Sequence, residues 1–106
     1  MFSDQTTTIS ELQSLCRTFR EQRGWKGDKA STFAKDIAVE AGELLDHFVW
    51  EEEAYKDDPE MKREICYELV DVLYGVLVMA EILGADLSAT LAEKIKILEQ
   101  KYPAAA

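Results

Sequence analysis

Four acids carry the chemistry this chain can offer. Glu40 and Glu43 stand three residues apart in EAGELLDHFVW, and Glu68 and Asp71 stand three apart in ELVDVL. On a helix, residues three apart face the same way, so each pair can grip one ligand jointly. An ionised carboxylate on a packed face must be paired or bound to a cation. Two carboxylates ~5 Å apart repel by ~3 kcal/mol at an effective dielectric of about 20, and four multiply that cost. A divalent cation turns the repulsion into attraction. Oxygen-only ligands suit hard Mg²⁺, with Mn²⁺ as a substitute, better than zinc, which prefers His and Cys.

The segments that must position these acids read as helices. Phe33, Ile37, Leu44 and Phe48 form an apolar line, with Glu40 inside it and Glu43 at its edge. In the second segment one line runs Glu64, Glu68, Asp71, Gly75, Val78, Ile82, acidic in its first half and apolar in its second. Such a face packs against something along its whole length. Spacing alone is weak, since Asp36/Glu40 and Glu43/Asp46 also qualify and most charged stripes are solvated. Placement inside apolar lines is what separates the quartet.

Taken in order, Met1 to Thr7 are polar and expected to be loose. Thr8 and Glu11 form a capping box that opens a first helix, with Ile9, Leu12, Cys16 and Phe19 at helical spacing and an end near Arg23-Gly24. Trp25 to Ala30 is a loop between Gly-containing turns. Ser31 or Thr32 is expected to cap a second helix running to about Glu53, where Glu51-Glu52-Glu53 oppose the helix dipole. Asp58-Pro59 starts a third helix, apolar almost all round between Leu69 and Leu83, and Gly84 ends it. Asp86 caps a fourth, striped with Leu87, Leu91, Ile95, Leu98 and Tyr102 and stopped by Pro103. With no repeats, no strand-like alternation and no long linker, the fold expected is all-α, one four-helix bundle over 1–106, with 1–7 flexible and 104–106 a tail. A chain this small cannot enclose the third helix alone, which implies another subunit.

Composition narrows the function. The 106 residues are 47% hydrophobic with two prolines and five glycines, which argues against disorder. A net charge of -9, from 12 Lys+Arg against 21 Asp+Glu, argues against nucleic-acid binding and against an anionic membrane surface. The apolar run Leu69 to Leu83 is broken by Asp71 and Glu81 and is too short to span a membrane. Cys16 and Cys66 form no CxxC pattern and read as small core residues in a reducing cytoplasm. His47, one turn past Glu43, reads as a surface or packing residue first and a ligand or base second. Trp50 reads as helix packing, whereas Trp25 in its loop can stack on a planar ligand. Lys94 and Lys101 read as solvated, with phosphate neutralisation the alternative.

The ordered set Glu40-x-x-Glu43, 24 intervening residues (44–67), then Glu68-x-x-Asp71 resembles the signature of the MazG-like nucleoside triphosphate pyrophosphohydrolases. FREQRGW (Phe19 to Trp25), EAGELLDHFVW, ELVDVL, and Lys94 followed by KYP (Lys101 to Pro103) look like the small dCTPase-type branch. The resemblance implies that Glu40, Glu43, Glu68 and Asp71 hold Mg²⁺ that grips a nucleoside triphosphate. Water then attacks the α-phosphorus, releasing nucleoside monophosphate and pyrophosphate, in a house-cleaning role on deoxynucleotide or non-standard nucleotide pools. One of the four acids, or Glu64 in an outer shell, takes the water's proton. Trp25 and Trp50 match family aromatics near the base, and Lys94, Lys101 and Tyr102 match its phosphate-side segment. The family's dimers, or dimers of dimers, place sites at subunit contacts.

Three positions depart from some dCTPase-type relatives, which carry histidine at Cys16, tyrosine at Gly75 and asparagine at Leu98; Tyr74 points about 100° away from the missing tyrosine. These departures bear on base selectivity. Two other classes compete. A non-catalytic helical oligomer would use the same acids to pair subunits or to bind nucleotide or a partner protein. A di-iron bundle needs Glu-x-x-His twice, and this chain has one histidine.

Overall fold

In the computed structural model, which describes residues 1–105, the backbone runs as α1 (Ile9–Glu21), α2 (Ala30–Asp46), a 3-10 turn (Ala54–Asp57), α3 (Pro59–Leu83) and α4 (Leu87–Lys101). No strand occurs among the described residues, in keeping with the all-α expectation. Of the expected tail 104–106, Ala106 lies outside the described residues.

Local chemistry sets most of the boundaries. The Thr8 hydroxyl accepts from the Glu11 amide at 3.1 Å while Glu11 accepts from the Thr8 amide at 3.0 Å, the reciprocal capping box. Asp58 caps α3 by accepting from the Met61 amide at 3.0 Å, with Pro59 at the first helical position. Gly84 closes α3 at φ 67, a left-handed conformation that glycine adopts without steric cost. Asp86 caps α4 by accepting from the Ala89 amide at 3.0 Å. Ahead of α1, residues 1–7 contain a turn closed by the Thr7 amide on the Ser3 carbonyl at 2.8 Å.

Both ends of α2 differ from the sequence expectation. Its N-cap is Lys29 with no side-chain bond, so Ser31 and Thr32 lie inside the helix rather than capping it. Its last helical residue is Asp46, not a residue near Glu53. The His47 and Phe48 amides tighten onto the Leu44 and Leu45 carbonyls, and three consecutive glutamates at the negative end of a helix would oppose its continuation. Instead the chain turns, Lys56 pairs with Glu53 at 3.0 Å, and Tyr55 packs edge-on against Phe48 at 6.0 Å between ring centroids.

α2 and α3 form the main packed pair, α1 lies against α3, and α4 packs along none of the other helices. The buried apolar residues are Phe33 on α2 and Leu77, Val78 and Ala80 on α3, a small core for this length. Much of the remaining apolar surface is open: Leu69, Val70 and Leu73 on α3, and Leu91, Ile95 and Ile97 on α4. Cys66, expected in the core, is exposed, and Trp50, expected to pack, is 93% exposed because α2 ends before reaching it. No helix among the described residues is long and apolar enough to cross a membrane.

Candidate metal centre

The antiparallel pairing of α2 with α3 builds the site. Ile37 of α2 meets Gly75 of α3, and one turn further along each helix Glu40 meets Asp71 and Glu68. Carboxylate oxygens of Glu40, Glu68 and Asp71 all lie within 4.8 Å of one another. Glu40 and Glu68 are half-buried and Asp71 is exposed, so the cluster opens to solvent on one side. The apolar line carrying Glu40 is the packed one: Phe33 is buried, and Ile37, Leu44 and Phe48 are half-buried. On α3, Gly75 and Val78 of the mixed line are buried, Gly75 against Ile37 and Phe33 of α2.

Nothing basic neutralises these acids. Among the described residues, no lysine or arginine nitrogen lies within 4.0 Å of their carboxylates; the one approach is His47 Nε2, 3.8 Å from Glu68 Oε1. Glu40 Oε2 and Glu68 Oε2 are shut off from solvent and have no hydrogen-bond donor. An orphaned buried acceptor costs about 1–3 kcal/mol, and more when charged. Two such atoms beside the Asp71 carboxylate are what a hard divalent cation would satisfy, so the donor set fits one. A hydrogen bond shared with Glu43, partial burial, and the charges of Glu43, Asp71 and Glu68 together push Glu40 up from the ordinary carboxylate range to about 7.

The structure thus gathers three of the four acids around one point. Glu43, exposed one turn along α2, stands outside the three whose oxygens converge and acts on Glu40 as its neighbour. Trp25 is 50% exposed and packs edge-on to Phe19 at 5.8 Å, in a cleft with Val78, Glu81 and Ile82. That cleft begins seven residues past Asp71, roughly 10 Å along α3, so Trp25 does not line the acids of its own chain. Trp50 follows α2 in the exposed turn. Lys94, Lys101 and Tyr102 are exposed on α4, away from the helices that bear the acids.

Two features were missed by reading the sequence. One is the approach of His47 to Glu68, for which the position of His47 one turn beyond Glu43 was the available signal. The other is the role of Arg20, which donates to the Tyr74 hydroxyl at 3.3 Å, pairs with Asp28 and lies 4.8 Å above the Phe33 ring. Tyr74 is thereby committed to α1, on a different side of α3 from the acids. Burial, and then the Glu81 charge, push the Cys16 thiol up against the opposing pull of Arg20, so Cys16 is a poor nucleophile.

A family model described as MazG-like matches residues 35–106, a stretch containing all four acids. Among solved structures, the chain is similar to a pyrophosphatase from Archaeoglobus fulgidus DSM 4304, with a TM-score of 0.82 and 28% sequence identity over 98% of this chain and 100% of that one. That similarity runs over all four helices. A comparison with curated proteins finds no match.

Proposed function

The chain belongs to the MazG-like family, and from that premise we propose that it is a Mg²⁺-dependent nucleoside triphosphate pyrophosphohydrolase, cleaving between the α- and β-phosphates to leave a nucleoside monophosphate and pyrophosphate. The observation that carries this reading is the pair of buried, donorless oxygens on Glu40 and Glu68, two acids whose carboxylates converge with Asp71 within 4.8 Å and which no lysine or arginine neutralises. The pyrophosphatase from Archaeoglobus fulgidus supports the same reaction class.

In this reading Glu40, Glu68 and Asp71 hold Mg²⁺, for which Mn²⁺ substitutes. A divalent ion in such a site supplies neutralisation of phosphate charge and acidification of water. The remaining work falls to the chain. Glu43, the acid left outside the three, is exposed toward an incoming water and takes its proton. His47 Nε2 stands 3.8 Å from Glu68 Oε1, while Oε2, which has no donor, would be free to bind the ion.

The substrate is a nucleoside triphosphate, with deoxynucleotides the expected class. Trp25 and Trp50 offer exposed aromatic faces for a base, and Lys94, Lys101 and Tyr102 offer charge and a hydroxyl for the phosphates. Because α4 packs along none of its own chain's helices, the protein is proposed to work as a homodimer or a dimer of dimers, with α4 of one copy brought to the acids of another. Incubation with a panel of deoxynucleoside triphosphates and Mg²⁺ tests the reaction. Pyrophosphate and monophosphate are expected; release of orthophosphate would reject the proposed bond cleavage.

A further inference from the structure

Gly75 stands in the middle of α3, where glycine is a poor helix former, and it is buried. A Cβ added there would lie 2.8 Å from Ile37 Cγ1, 3.5 Å from Ile37 Cδ1 and 3.8 Å from the Phe33 carbonyl oxygen. Real Cβ atoms essentially never come within 3.0 Å of another heavy atom, so any side chain at this position forces something to give, either the Ile37 side chain or the spacing of α2 and α3. Gly42, the other helical glycine, differs: a Cβ there meets nothing within 4 Å. The close approach is therefore particular to Gly75.

Its location gives the approach a consequence. Gly75 lies four residues after Asp71, and Ile37 three before Glu40, so this close approach is one turn from the acids on both sides. We propose that Gly75 is a positioning residue for the cation: its missing side chain sets the α2–α3 separation at which Glu40, from one helix, shares an ion with Glu68 and Asp71, from the other. This rests on the metal-binding reading above. A bulkier residue, tyrosine included, meets Ile37 here and requires that side chain or α2 to move.

The test is the dissociation constant for Mn²⁺ alone, measured by calorimetry or by the Mn²⁺ electron-paramagnetic-resonance signal, on the full chain without nucleotide. Gly75→Ala is expected to weaken Mn²⁺ binding about ten-fold, the scale seen when supporting residues around a metal are disturbed. Helix content by circular dichroism is expected to stay the same or rise, because alanine favours helix. The double variant Gly75→Ala with Ile37→Ala removes the clashing Cγ1 and Cδ1 and is expected to recover most of the lost affinity. Gly42→Ala, on the open face, is expected to bind Mn²⁺ like the wild type. Wild-type binding of Mn²⁺ with an equal constant for Gly75→Ala would overturn the positioning role alone. A weakened Gly75→Ala that trimming Ile37 does not restore would overturn it as well. Failure of the wild type to bind Mn²⁺ would overturn both this inference and the metal-binding reading beneath it.

Discussion

Glu43 stands one turn from Glu40 on α2, and its hydrogen-bonding influence, with burial and the charges of Glu43, Asp71 and Glu68, pushes Glu40 up from the ordinary carboxylate range to about 7. An acid whose folded-state pKa is raised binds its proton more tightly in the fold than in the unfolded chain. Below the ordinary value of 4.5 both states are protonated, and the favourable contribution is fully present. Between 4.5 and about 7 the unfolded chain has lost the proton and the fold retains it, so that contribution is lost as pH rises through this window. The Tm of the metal-free protein is expected to fall between pH 5 and pH 8. Because a metal must displace the same proton, Mn²⁺ should bind about ten-fold more tightly at pH 8 than at pH 6. Calorimetric titration at the two pH values checks this, and equal affinities would remove Glu40 from the ligand set.

Replacing Glu68 by Gln should separate stability from function. The change keeps the shape of the side chain and removes one of three carboxylates that share a small space with no lysine or arginine beside them. Relief of that repulsion is expected to raise the Tm of the metal-free protein by a few degrees, the effect of about 1 kcal/mol on a domain of this size. Mn²⁺ affinity and turnover are expected to fall by about 100-fold or more, since even supporting residues cost 10- to 100-fold. A lower Tm for Glu68→Gln would mean that the cluster is held together by something other than a cation.

Glu43→Gln distinguishes a proton acceptor from a ligand. Glu43 lies outside the trio whose oxygens converge, so its charge is not required to hold the ion. Mn²⁺ affinity is expected to change by no more than a few-fold, while kcat falls by roughly 10²–10⁴, the usual contribution of a general base. If affinity and kcat fall together, Glu43 is a fourth ligand. If neither falls, the chain's acids serve assembly rather than catalysis.

The legibility of the sequence divided along physical lines. Thr8 with Glu11, Asp58 with Pro59, Gly84 and Asp86 act within one turn of themselves, so their caps could be read directly and are found in place. The packed character of Glu40 was legible from Phe33 and Ile37 below it and Leu44 above it. The end of α2 was not, because Leu44 to Phe48 keep helical spacing across a point where like charge and the Phe48–Tyr55 contact turn the chain. Trp50 was misplaced by the same error. The convergence of Glu40 with Glu68 and Asp71, and the distance kept by Glu43, depend on a register between helices that is set by Ile37 against Gly75. No spacing within one segment encodes that register.

Trp50 offers a test of nucleotide contact free of any folding penalty. At 93% exposure its ring supports nothing in its own chain, so Trp50→Ala should leave stability within about 0.5 kcal/mol of the wild type. If the indole stacks on a base, KM for the preferred nucleotide should rise by roughly ten-fold or more, since a stacked base contributes about 1–3 kcal/mol. A change in Tm without a change in KM would instead assign Trp50 to a contact between subunits.

The fourth helix carries the question of assembly. Leu91 is 62% exposed, Ile95 45% and Tyr102 66%, all on the stripe that an amphipathic helix would bury, while α4 packs along none of its neighbours. Between α1 and α3 lies an apolar groove lined by Leu12, Leu15, Phe19, Val70, Leu73 and Leu77, equally open. An isolated helix of the 15 residues Leu87–Lys101 is marginal in water without a packed face, so α4 needs a surface to lie on. Ile95→Glu places a charge in the middle of the stripe; in the proposed assembly it should leave only monomer in sedimentation-velocity experiments. With α4 of the proposed partner copy withdrawn, and Lys94 and Lys101 with it, KM should rise steeply while Mn²⁺ affinity, assigned to α2 and α3 of one chain, changes little. Should the variant sediment like the wild type, α4 is not the element that joins the subunits.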